Sequence, residues 1–133
     1  MHDHEAEFAN EAFYLAFAQK DLDAMERLWA TNCGVVCLHP GWPALTDRNA
    51  IIESWKSILT NPNQPPIDFY GVTSTRVAEQ IVAVVCYEVV AGNTMVATNV
   101  FVAEDNGPKI AVHQSGVCAN PPTADVAGDT TIN

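Results

Sequence analysis

The sequence predicts an α+β fold in which three amino-terminal helices lie on a strongly curved, mostly antiparallel sheet. Two features carry this expectation. Apolar residues recur at three- and four-residue spacing up to about Leu59, then at alternate positions from Ile67 onward. The change of period falls across a proline-rich link that ends at Pro66. A length of 133 residues, 48% of them hydrophobic and 17% charged, suits one folded domain on a prior of roughly 100–200 residues per domain. We expect that domain to span residues 1–120, with 121–133 as a mobile tail opened by Pro-Pro.

Asp3 is placed to cap the first helix, with Glu5 and Glu7 in its first turn, where the helix dipole favours anions. Phe8, Ala12, Phe13, Ala16 and Phe17 then form an apolar stripe. Lys20-Asp21 breaks the pattern, and Asp21 can cap a short second helix that buries Leu22, Met25, Leu28 and Trp29. A short apolar stretch, Val35 to Leu38, ends in the loop His39-Pro40-Gly41-Trp42-Pro43. The third helix starts near Thr46 or Asp47, buries Ile51, Ile52, Trp55, Ile58 and Leu59, and stops at Asn61-Pro62. Ile67 to Val77 alternates as a strand, and Ile81 to Val90 is so continuously apolar that both its faces should be covered. Gly92-Asn93 turns into a strand from Met95 to Ala103. Asn106-Gly107-Pro108 turns into the last, Lys109 to Cys118.

Six Lys+Arg against sixteen Asp+Glu leave a net charge of −10. That balance argues against nucleic acid and against anionic membrane surfaces, both of which select basic patches. No apolar run is long enough for a membrane span, and the start Met-His-Asp-His-Glu is no signal peptide. The four cysteines show no Cys-x-x-Cys spacing and are expected to be reduced and mostly buried, in a cytoplasmic protein. His2, His4, His39 and His113 form no metal-binding pattern, no phosphate loop is present, and no cofactor is expected. Cys33 and Cys37 have no base pattern beside them that would make a nucleophile.

A twisted sheet curls, and helices laid on its concave side enclose a cone. Polar side chains pointing into that cone then become the candidates for function. At this point the sequence resembles the nuclear transport factor 2-like superfamily, in its SnoaL-like and ketosteroid isomerase-related branch. The residues that carry the resemblance are Asp21-Leu22-Asp23, Leu28-Trp29-Ala30, Val36 through His39-Pro40-Gly41-Trp42, Asp47-Arg48-Asn49-Ala50-Ile51 and Ser54-Trp55. The resemblance implies a cone-shaped α+β barrel, a homodimer through the outer sheet face, and a small, mainly apolar ligand in the cone. It also implies that ketosteroid isomerisation is absent. His39 stands where those isomerases have their base aspartate before a proline, Phe13 where they have the oxyanion tyrosine, and Asn99 where they have the protonated aspartic acid. Asp47 replaces the usual glycine before the third helix, and Tyr14 lies about 100° round the helix from Phe13.

His39 and His113 are accordingly the expected catalytic pair, since imidazole exchanges protons near neutral pH. Against this stands a structural role for each: a strand-ending hydrogen bond for His39, and a half-exposed rim position for His113. His113 shares a strand face with Ser115, and Asn99 shares one with Phe101. The family register turns the His113 face toward the cone; Asn99, flanked on its face by the core-like Ala97 and Phe101, is a pocket hydrogen-bond donor or else a dimer-interface contact, the pocket being favoured. Phe13, Phe17, Trp29, Trp55, Val85 and Tyr87 are expected to line its walls, with Trp42 as a lid, although such aromatic residues are more often plain core. The chemistry this suggests is metal-free proton transfer or hydration/dehydration on a carbonyl-bearing molecule. The alternative is a non-catalytic association or ligand-sensing module.

Overall fold

In a computed structural model, described over residues 1–124, the chain forms α1 (Asp3–Gln19), α2 (Leu22–Leu28), β1 (Val36–Leu38), α3 (Arg48–Thr60), β2 (Ile67–Ala78), β3 (Ile81–Val90), β4 (Asn93–Glu104) and β5 (Gly107–Val117). The strands make one sheet in the order β1-β5-β4-β3-β2, parallel only between β1 and β5. Because β1 and β2 remain edges, the sheet is curved but open, and the closed barrel implied by the resemblance is corrected to that extent. No described helix is long and apolar enough to cross a membrane. The expected tail lies outside the described residues from position 125 onward. Just before it, the Tyr70 hydroxyl donates to the Pro122 carbonyl at 2.7 Å.

The helix starts follow the capping logic of the sequence. Asp21 accepts from the Ala24 amide at 3.1 Å and Asp47 from the Ala50 amide at 3.0 Å. The first helix differs by one residue: His2 is the cap, and Glu5 accepts from the His2 amide at 2.9 Å. Its buried face is also rotated. Ala6, Asn10, Phe13, Tyr14, Ala16 and Phe17 point inward, whereas Phe8 is 66% exposed. Two polar residues, Asn10 and Tyr14, belong to the inner stripe, and an apolar-only count placed that stripe too far round the helix.

The sheet contains a similar shift. A bulge at Gly71, whose φ of +68° suits a residue without Cβ, breaks the β2–β3 register between Tyr70 and Thr73. Ile67 and Phe69 face the helices before the bulge; Val72 packs on the core after it, and Ser74 and Arg76 reach α1, to Glu7 (2.5 Å) and Asp3 (3.0 Å). The β3–β4 turn is Ala91-Gly92, both at positive φ, one residue earlier than the expected Gly92-Asn93. Phe13, Met25, Trp29, Ile51, Phe101 and Ile110 form the fully buried centre between helices and sheet.

Arg48 joins two helices. Its guanidinium donates to the Glu26 carbonyl (2.8 Å), which also accepts the Trp29 amide, and to the Ala30 (3.0 Å) and Trp29 (3.3 Å) carbonyls just past the end of α2. Arg48→Met keeps the aliphatic stem and removes the donors, so it should lower unfolding free energy by about 1–3 kcal/mol in urea denaturation. An unchanged midpoint would show that water replaces the guanidinium without loss.

Candidate functional site

The pleat of the sheet concentrates polar side chains on the face under α1. In register, Phe69 opposes Glu88, Val84 opposes Asn99, and Asn99 opposes His113, while Cys37 of β1 opposes His113 from the other side. Alternation then places Ser115 beside His113 and His39 one pleat beyond Cys37. Glu88, Asn99, His113, Ser115 and His39 are all buried, and α1 adds Asn10 and Tyr14 above them.

These groups pair with one another in a chain that leaves only the Asn10 Nδ2 without a partner among the described residues. The Tyr14 hydroxyl donates to one oxygen of Glu88 at 2.5 Å, and the Ser115 hydroxyl donates to the other at 2.7 Å. The Asn99 amide donates to Asn10 Oδ1 (2.8 Å) and to the Tyr14 oxygen (3.3 Å), which leaves its carbonyl oxygen to face His113 Nδ1 at 2.6 Å. An acceptor in that position assigns the proton of His113 to Nδ1 and a lone pair to Nε2. Across the site, the Ser54 hydroxyl donates to the Ile51 carbonyl (2.6 Å) and lies 2.8 Å from His39 Nε2. The serine proton is spent on the carbonyl, so His39 carries its own on Nε2 and a lone pair on Nδ1.

Burial sets the charge states. Burial, reinforced by neighbouring His113, depresses the His39 pKa to about 4; burial alone takes His113 to about 4 as well. Both imidazoles are therefore neutral near pH 7. Burial pushes Glu88 upward against the two hydroxyls that favour its ionised form. It also raises Tyr14 well above the usual phenol value, with the Glu88 charge adding to the effect. Cys37 lies 3.4 Å from His39 Nε2, but burial raises its thiol to about 12, which keeps it from acting as a nucleophile.

A cavity of about 220 Å³ opens beside this chain. Its floor is made by Phe13, Phe17, His39, Trp55, Glu88 and His113; its rim includes Pro40, Trp42, Ile58, Gln64, Ile67 and Met95. The two imidazole rings are 6.1 Å apart, and the Trp55 ring lies 4.8 Å from His39 and 5.8 Å from His113. Trp42, 43% exposed, stands 4.9 Å from His39 at the mouth.

Of the residues expected here, His39, His113, Phe13, Phe17, Trp42 and Trp55 converge on the cavity. Asn99 and Ser115 lie one layer behind it, as partners of His113 and Glu88. Trp29 and Phe101 are core residues away from the cavity. Val85 and Tyr87 do not line it: β3 turns Val84, Cys86 and Glu88 inward, so these two belong to the opposite face, where Tyr87 stacks on Tyr70 at 5.4 Å. Sequence reasoning missed Glu88, Ser54, Asn10 and the inward direction of Tyr14. For Glu88 there was a signal, a lone acid within ten otherwise uncharged residues. Among the described residues, no three His, Cys, Asp or Glu side chains are grouped to hold a metal ion.

A family profile for the SnoaL-like domain matches residues 7–120. Among solved structures, a proposed dehydratase of the NTF2-like family from Streptomyces avermitilis is 28% identical, covers 89% of this chain and 96% of its own, and superposes with a TM-score of 0.79. A proposed calcium/calmodulin-dependent protein kinase type II association domain from Thiobacillus denitrificans is also 28% identical, with 84% and 94% coverage and a TM-score of 0.73. A ketosteroid isomerase-like protein from Erwinia carotovora atroseptica shares the fold at 16% identity, 86% and 94% coverage, and a TM-score of 0.66. No curated protein matches the chain significantly.

The depressed imidazoles make stability depend on pH. Between about 4 and the ordinary value of 6.5, the unfolded chain binds protons that the folded chain refuses, so stability is full above pH 6.5 and falls on acidification. Glu88 works in the opposite sense, favouring the fold below its ordinary 4.5 and losing that contribution as pH rises. From pH 7 to 4.5 the imidazoles dominate, and urea denaturation should show a loss on the order of 2 kcal/mol. The His39→Gln, His113→Gln double variant should flatten that slope, and a flat wild-type profile would contradict the buried neutral pair.

Proposed function

This chain belongs to the SnoaL-like domain family, and from the geometry of its cavity we propose that it binds a small, mainly apolar, carbonyl-bearing molecule and moves a proton on it. The reaction is an isomerisation or a hydration/dehydration. One observation carries this reading: two neutral imidazoles, each fixed by a hydrogen bond at one nitrogen, share an open, aromatic-walled cavity. A carbonyl acidifies the neighbouring C–H, and the free lone pair of His113 or His39 takes that proton. In an elimination, the C–O bond of a neighbouring hydroxyl then breaks, a C=C bond forms, and the imidazolium returns its proton to the departing hydroxyl as water. Asn99 and Ser54 keep the rings in position through this exchange.

The second reading, an association module, is favoured by the 28% identity to the association domain. The two readings separate at the cavity, because a module that only assembles gains nothing from leaving buried space unfilled. For assembly itself we propose a homodimer through the outer sheet face, where Val85, Tyr87 and Val89 of β3 are half-buried in the single chain. Four unpaired cysteines suit a reducing compartment, which supports a cytoplasmic location.

A panel of small carbonyl compounds read by thermal shift should yield a selective ligand, and His39→Ala should reduce its turnover by about 10²–10⁴-fold. Unchanged turnover would remove His39 from the mechanism, and a panel without any binder would favour the association reading. In sedimentation at micromolar concentration the chain should run at twice its own mass; a monomer would contradict the dimer.

A further inference from the structure

Building on the ligand reading above, we infer that the cavity floor is a receptor for hydrogen-bond donors: the ligand presents a neutral hydroxyl group to it, and carboxylate- or phosphate-bearing molecules are refused. The argument is an inventory of protons. The hydroxyls and the Asn99 amide next to the floor have already given their hydrogens away; the one unspent amide nitrogen, Nδ2 of Asn10, is buried under α1 and does not line the cavity. Tyr14 and Ser115 donate to Glu88, Ser54 donates to the Ile51 carbonyl, and Asn99 donates to Asn10 and Tyr14. The imidazole N–H groups point away from the cavity's chemistry as well, one at Asn99 and one at Ser54.

What remains for a ligand is a set of lone pairs: Nε2 of His113, the carboxylate of Glu88, and Nδ1 of His39, which the Cys37 sulfur approaches only at 3.8 Å. Among the described residues, no lysine or arginine lines the cavity. The Trp55 indole N–H has no partner among the described residues, but its nitrogen is enclosed in the packing rather than bared to the cavity. An anion placed on this floor would meet a carboxylate and lone pairs, with no positive charge to offset its desolvation. An ammonium would meet the Glu88 charge, but it would lose its hydration against walls of Phe13, Phe17 and Trp55, with both Glu88 oxygens already engaged by Tyr14 and Ser115. A hydroxyl meets neither obstacle.

The rim has the opposite character. Gln64 gives one amide N–H to the Pro65 carbonyl at 3.2 Å and keeps a second for a ligand. The ligand is therefore oriented, with its hydroxyl down at Glu88 and the imidazoles, its apolar body against Phe13 and Trp55, and its carbonyl toward the mouth.

Four probes with one cyclohexyl body test this at pH 7: cyclohexanol, cyclohexanone, cyclohexanecarboxylate and cyclohexylamine. Binding is followed through the ¹⁵N shifts of the histidine rings of the full chain. Cyclohexanol should bind about tenfold tighter than the ketone, the margin of one hydrogen bond, and the carboxylate should not bind. Glu88→Gln, which brings an amide donor to the floor, should pull the alcohol-to-ketone ratio toward one. Ketone, carboxylate or amine binding as tightly as the alcohol, or an unchanged ratio in Glu88→Gln, would overturn the inference and leave the ligand reading intact. Failure of all four to bind would refute both. Independently of any ligand or variant, the free protein should show His113 protonated at Nδ1; the Nε2–H tautomer would overturn the inference directly.

Discussion

A carboxylate, two amides, two imidazoles and a phenol cannot be buried between a helix and a sheet unless each finds a partner, because an unpaired polar group there costs a few kcal/mol. The rest of this site depends on how that requirement is met. Asn99 stands at the centre of the arrangement. It has two donors and an acceptor to dispose of, and it spends them on Asn10, Tyr14 and His113. The orientation of each neighbour follows from that one choice, from the helix above to the last strand below. The seam between α1 and the sheet is in this sense a polar joint inside an apolar core, and it fixes the rotation of α1 that the apolar stripe alone left ambiguous.

The same joint decides what the cavity can do. A tyrosine hydroxyl is present beside Phe13, yet it comes from Tyr14 and is turned onto Glu88. It is therefore consumed in holding the carboxylate, not offered to a ligand. The imidazoles are left neutral by burial and single-handed by their hydrogen bonds, which suits them to receive protons. A conjugate-acid pKa near 4 makes each a weak base. Proton abstraction then needs a C–H that a carbonyl has already made acidic, or an imidazolium that is short-lived and gives its proton onward at once.

Much of this was legible in the sequence. Asp21 marked the start of α2, and the start of α3 was narrowed to Thr46 or Asp47, because a capping side chain has few useful places to stand. His39 and His113 were picked out through the family resemblance, His39 by its place before Pro40 and His113 by the register that turns its strand face toward the cone. The failures have three physical causes. A strand that is apolar on both faces has no phase of its own, so Val85 and Tyr87 could be assigned inward as readily as Val84 and Cys86. Glu88 settles the phase, but only once its partners Tyr14 and Ser115 are known, and both lie far away in sequence. In β2 the alternation was real but interrupted: one extra residue at Gly71 exchanges the two faces for everything after it. Asn10 and Tyr14 were hidden because an apolar stripe is counted without its polar members.

That strand also shows why catalysis and assembly need not compete in this fold. Period-two alternation sends consecutive residues of β3 to opposite sides of the sheet, about as independently as two separate surfaces. Val84, Cys86 and Glu88 belong to the inner layer with the cavity; Val85, Tyr87 and Val89 belong to the outer face proposed for the dimer. A partner seated on the outer face would stiffen the strand that carries Glu88 without touching the cavity. Conversely, filling the cavity would leave the outer face unchanged. The ligand binding and the assembly proposed above would thus use separate surfaces of one chain, the cavity for one and the outer face of the sheet for the other.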